Sequence, residues 1–132
     1  MFHKTLTMAA VVALAAVPAV AQTFRAENRV DVTPALNNAF QISSGGDYGA
    51  RGMWCAASDY AQDVLGASGT SRIYITEPRT STSGPVTFSL DANGTQGKSV
   101  SIVGASLRQL GANLSVDHAY QFCYDARITN SR

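Results

Sequence analysis

Trp54-Cys55-Ala56-Ala57-Ser58-Asp59-Tyr60-Ala61-Gln62-Asp63-Val64-Leu65-Gly66 is the segment from which the architecture of this chain is read. Ala57, Tyr60, Ala61, Val64 and Leu65 recur at helical spacing, which places them on one apolar stripe of an α-helix. Ser58, Asp59, Gln62 and Asp63 fall on the opposite face and read as its solvated side. Gly66 follows the last apolar residue, where helices end on a left-handed residue. Trp54 extends the stripe. Cys55 lies off it at about 100° per residue, and is expected at the edge of the core.

Outward from this helix the pattern changes to period two. Phe40 and Ile42 alternate with Ala39, Gln41 and Ser43. Ile73 and Ile75 alternate with Arg72, Tyr74 and Thr76. Val86, Phe88 and Leu90 alternate with Thr87, Ser89 and Asp91, and Val100 and Ile102 with Ser99 and Ser101. Such alternation predicts strands with one face buried and one face wet, so Thr87 and Ser89 are expected to face water. Turn residues over 78–84 and 92–97 predict that the last three strands form a meander. Further on, Ser115 is placed to cap a helix in which Val116, Ala119, Tyr120 and Cys123 share a face. Tyr120, Phe122 and Tyr124 also alternate like a strand, and the helix is preferred because it buries Cys123. The expected class is α+β: a small antiparallel sheet, a three-strand meander plus a candidate extra strand, packed on one main helix, with a candidate C-terminal helix and one disulfide.

The chain has 132 residues, enough for one modest domain. Met1 to Ala21 reads as a secretory signal peptide. Lys4 gives a basic start, Met8 to Val17 an apolar run, and Ala19-Val20-Ala21 a small-residue cleavage site. That run is too short to span a bilayer, which needs about 20 apolar residues, so no stable membrane insertion is expected after cleavage. Residues 22–38, interrupted by Pro34, read as a loose N-terminal arm. Residues 39–132 read as a single small domain. Without Lys4, nine basic residues face nine acidic ones. This balance argues against nucleic acid as a partner. The Ala-rich leader suggests a bacterial protein, periplasmic or secreted.

Export sets the reading of the two cysteines, Cys55 and Cys123. In an oxidising compartment an even pair in a small domain is most simply one disulfide. Beside His118 they are too few for a structural zinc site, and no metal or cofactor is expected. The blocks Met53-Trp54-Cys55-Ala56-Ala57-Ser58-Asp59-Tyr60-Ala61 and Ala119-Tyr120-Gln121-Phe122-Cys123 resemble small exported proteins of unknown function from alphaproteobacteria. That resemblance implies no activity.

Five groupings could carry chemistry. A thiol at a helix N-terminus with a histidine later in the chain can form a nucleophilic pair, so Cys55 and His118 are the candidates for a Cys–His hydrolase of peptide or cell-wall substrates. Gly45, Gly46, Gly49 and Gly52 with Arg51 could cradle an anion, but neither nucleotide-binding glycine pattern is present, and a flexible loop with an incidental arginine is the plainer reading. Asp91-Ala92-Asn93-Gly94 lacks calcium-loop spacing and reads as a turn. Asp59 and Asp63 read as a solvated pair. Tyr48, Trp54, Tyr60, Tyr74, Tyr120 and Tyr124 are rings that could form a binding patch where exposed. The leading expectation is therefore a non-catalytic binding module acting on an unidentified protein or envelope component, with the hydrolase as its alternative. The leader supplies a direct check. Intact mass of the exported protein should begin at Gln22, and a full-length mass in the soluble exported fraction would contradict the assignment.

Overall fold

The structure, a computed structural model, describes residues 9–12 and 22–130. Most of the expected signal peptide over 1–21 lies outside the described residues. The order along the chain is β1 (Phe24–Arg25), β2 (Asp31–Pro34), β3 (Ala39–Ile42), α1 (Gly49–Asp63), β4 (Arg72–Glu77), β5 (Val86–Ser89), β6 (Lys98–Ser99), α2 (Val103–Ser106), β7 (Ala112–Ser115), α3 (Val116–Gln121) and α4 (Tyr124–Asn130). The class is α+β, with one sheet in the order β1-β2-β3-β5-β4-β7-β6. Neighbouring strands are antiparallel except β6 and β7, which are parallel.

Helix α1 is the centre of the molecule. Every residue from Gly52 to Ala61 is buried, so the helix has no wet side through its middle turns. Its C-terminus ends as the sequence predicts: Gly66 adopts φ +66° and the Ala67 N–H returns to the Ala61 carbonyl at 2.9 Å. One flank of α1 meets the inner face of the sheet. Phe40 pairs with Phe88 and Ile42 with Val86 across β3 and β5, and Ile75 pairs with Phe88 across β4 and β5. A run of rings joins helix and sheet, with centroid distances of 5.1 Å for Trp54–Phe88, 5.9 Å for Phe88–Phe40 and 4.6 Å for Phe40–Tyr60. Separations of this size are those that aromatic pairs favour.

The sheet differs from the expected meander in two ways. β5 is flanked by β4 and by β3, not by a strand over 99–102. Only Lys98 and Ser99 pair, and they do so with β7. Ile102 is 70% exposed and precedes α2. The place beside β4 is taken by β7, whose Ala112 and Leu114 are buried. Thr87 and Ser89 are buried as well. Ser89 lies between Ala39 and Tyr74, and Thr87 between Gln41 and Glu77. In a central strand these small side chains are shadowed by longer neighbours, and each polar group finds a partner. Thr87 Oγ1 donates to Glu77 Oε2 at 3.1 Å, and Ser89 Oγ accepts the Asp91 N–H at 3.0 Å.

The loose arm expected over 22–38 is a built part of the fold. Phe24 pairs with Val32 and Arg25 with Asp31. Ala26, Asn28, Val30 and Val32 are buried. The turn between β1 and β2 is bonded to α1: Asn28 Nδ2 donates to the Gly52 carbonyl at 2.9 Å, and the Glu27 N–H donates to Asp59 Oδ2 at 2.8 Å. Pro34 is tolerated because it ends its strand.

At the C-terminal end, the helix expected from Ser115 through Cys123 forms over Val116–Gln121 only, and Cys123 lies in the turn between α3 and α4. Ser115 Oγ accepts the His118 N–H at 3.1 Å and caps α3. Cys55 and Cys123 are joined, with Cα atoms 4.9 Å apart. Both are wholly buried, so Cys55 lies inside the core and not at its edge. It is enclosed because α3 covers the side of α1 that the stripe alone leaves open. Phe88→Ala should cost about 3–5 kcal/mol in denaturant unfolding, and Thr87→Ala about 1 kcal/mol for the lost hydrogen bond. Equal losses at the two positions would contradict this register.

Candidate functional site

The disulfide settles what the two sequence-selected chemical residues can do. Cys55 carries no thiol while bonded to Cys123, and a thiol–imidazole pair needs one. His118 is exposed on α3, and its ring centre lies 5.7 Å from that of Phe122. The structure thus brings Cys55 to Cys123 and leaves His118 on the surface.

A different constellation forms where the sheet opens. β2 and β3 are paired at Thr33–Gln41 and Pro34–Phe40; beyond Ile42 the chain leaves β3 through Ser43 and Ser44 into the glycine loop. Two clefts flank that departure. The larger, about 360 Å³, is lined by Arg29, Val30, Asp31, Thr33, Ser43, Ser44 and Gly46. The smaller, about 210 Å³, shares Ser43, Ser44 and Gly46 and adds Met53, Arg79, Thr82 and Ser83 among others. Both are open grooves at or below the low end of the about 300–1,000 Å³ typical of small-molecule sites, a size suited to a small group presented by a larger partner.

The glycine loop that walls these clefts is not flexible filler. A Cβ on Gly45 would collide with the Gly49 carbonyl, and one on Gly52 would collide with the Gly45 carbonyl. Loop and helix therefore touch backbone to backbone, which only glycine permits. Arg51, the cation that the sequence places with this loop, turns away. Its guanidinium forms a two-point pair with Asp125 at 2.7 and 3.0 Å and covers the Phe122 ring at 4.7 Å. The groove's cation is Arg79, delivered from the loop after β4. Its Nε donates to the Gly84 carbonyl at 2.9 Å, and an Nη donates to Met53 Sδ at 3.3 Å. No local motif marks Arg79, because its role depends on how β4 and β5 seat that loop.

A second polar cluster joins three distant segments. Tyr120 Oη donates to Glu27 Oε2 at 2.7 Å, Arg127 Nε donates to Glu27 Oε1 at 2.9 Å, and an Arg127 Nη donates to Tyr120 Oη at 2.6 Å. Asp59 lies beneath it. The expected solvated face is covered in its first part, where Ser58 is wholly buried and Asp59, bonded to the β1–β2 turn, is 7% exposed; Gln62 is half-buried and Asp63 is exposed as expected. Burial pushes the Asp59 carboxyl above its ordinary value, the Glu27 N–H bond opposes the rise, and the nearby Asp63 and Glu27 charges add to it. Asp125 goes the other way, held below the usual range by its bonds to Arg51.

The rings do not assemble into an exposed patch. Trp54 and Tyr60 are core residues, and Tyr48, Tyr74 and Tyr120 are half-buried. Tyr124 stands out at 62% exposed. Residues 91–94 form the turn expected of them, with the Asn93 N–H on Asp91 Oδ1 at 2.8 Å. Among the described residues, no three His, Cys, Asp or Glu side chains converge as metal ligands. No family model matches the chain, and no curated protein or solved structure matches it either.

The Asp59 environment has a testable sign. An acid whose folded value is raised binds its proton more tightly when folded, so its ionised form lowers stability above that value. The penalty is relieved as pH falls toward the unfolded value, near 3.8. Asp59→Asn keeps an acceptor for the Glu27 N–H and removes the charge. It should be at least as stable as the parent at pH 7, with a flatter stability profile as the pH falls from 7 toward the unfolded value. Asp59→Ala leaves that N–H without its acceptor and should lose about 1–3 kcal/mol. Equal losses in the two variants would contradict the assignment.

Proposed function

We propose that this chain is an exported, non-catalytic binding module that acts on a protein or envelope component outside the cytoplasm. The observation that carries this reading is the pairing of a sealed sulfur with an open polar groove. The nucleophile candidate read from the sequence, Cys55, is bonded to Cys123 and wholly buried. The conformationally fixed surface at Ser43–Gly49 and Arg79 is shaped for contact instead.

The leader and the disulfide both fit an oxidising destination. Among the described residues no helix is long and apolar enough to cross a membrane. The near balance of charge favours a local recognition site over long-range attraction to a polyanion. Protein expressed from the full chain and recovered after export should co-sediment saturably with purified envelope fragments at physiological salt. Recovery entirely in the supernatant across the concentration range would contradict the proposal.

A further inference from the structure

We propose that the groove beside Ser43 and Ser44 is an oxyanion site, in which Arg79, with Arg29 at its far end, grips a carboxylate or phosphate group of the partner. The inference rests on the binding-module reading and adds the chemistry of what is bound.

The distribution of arginines carries the argument. Arg25, Arg51 and Arg127 are matched by Asp31, Asp125 and Glu27. Arg72 spends its guanidinium on Asn113, at 2.8 and 2.9 Å. Among the described residues this leaves Arg29, Arg79 and Arg108 without an acidic or amide side-chain partner, and Arg29 and Arg79 line the two adjoining clefts. Arg79 is the more telling. It is half-buried, yet its neighbours are a backbone carbonyl and a thioether, and sulfur of that kind is a weak acceptor. A partly desolvated cation ordinarily acquires a counter-charge, and none of the residues lining its cleft is acidic.

The surroundings suit an acid group. Ser43, Ser44, Thr82 and Ser83 supply hydroxyls, and the close contact of Gly45 with Gly49 holds the wall in place. Arg79 has only part of its planar fork committed, and that fork matches both oxygens of a carboxylate or phosphate. Two acids lie nearby. Asp31 lines the larger cleft but is paired with Arg25, and Asp47 sits in the glycine loop itself. Together they favour a small, singly placed group over a long polyanion.

The test is a ¹H–¹⁵N titration of protein expressed from the full chain, with sodium phosphate in one arm and sodium acetate in the other, ionic strength being held with sodium chloride. Saturable shifts are expected at the Gly45 and Gly46 amides and at Arg79 Nε. They should weaken at least tenfold in Arg79→Gln and persist in Arg108→Gln. Should Arg79→Gln disturb folding, Arg79→Lys keeps the charge without the fork and should bind with intermediate strength. Saturation by phosphate alone points to a phosphorylated component, and saturation by acetate alone to a carboxylate. Shifts that chloride reproduces, that survive Arg79→Gln, or that never saturate would overturn the site. Envelope co-sedimentation retained in Arg79→Gln, with no saturable shift, would overturn this inference and leave the module reading intact. Saturable shifts without co-sedimentation would do the reverse.

Discussion

Helix α1 is surrounded. A helix with one wet side needs a partner on the other, but one buried from Gly52 to Ala61 must be covered on every side. That requirement shapes the rest of the molecule. The sheet covers one side through Phe40, Phe88 and Ile75, and the β1–β2 turn covers a second through Asn28 and Glu27. α2 caps another, where Trp54 Nε1 donates to Ser106 Oγ at 3.0 Å. α3 closes the remainder, and the Cys55–Cys123 bond fixes it there. Small residues make the close approach possible, since Gly52, Cys55, Ala56, Ala57, Ser58 and Ala61 leave little side chain between backbones. Closing a loop of 68 residues stabilises such a fold by about 4 kcal/mol in the chain-entropy model, a large share of the 5–15 kcal/mol that domains typically have.

The groove is a consequence of that enclosure. The chain must pass from β3, on the sheet, to the start of α1, beneath it, and it does so through the glycine loop. Gly45 and Gly52 allow the loop to press on the helix. The turn carrying Arg79 comes to the same place because β4 and β5 lie across the helix. A polar surface with a cation that has no acidic partner therefore stands where the loop and helix backbones meet. A rigid scaffold under a binding loop reduces the ordering cost of association.

Much of this was legible in the sequence, and the failures have a common cause. The helix, the cores of β3, β4 and β5, the Ser115 cap and the cysteine pair are local patterns, or follow from a count of two thiols. Ser58 and Asp59 were misread because periodicity shows which side of a helix is apolar, not which side is covered. The N-terminal arm hid in the same way: Val30 and Val32 alternate, but a two-residue partner strand and Pro34 give no visible sheet. β7 is short, and its Leu114 serves equally as the residue before a helix cap. Val100 and Ile102 have strand-like alternation, yet the partner they needed was already taken by Phe40 and Ile42. Arg79 left no trace, since its value lies in what fails to neutralise it.

The central claim is that α1 is held inside the fold by a covalent tie to the turn between α3 and α4. Counting alkylated thiols by mass tests it most directly. Denatured without reductant, the protein should show none; after reduction it should show two, with the melting temperature lower by on the order of 15 °C. A cysteine that labels readily in the native protein, or a reduced form that melts with the oxidised one, would contradict the account.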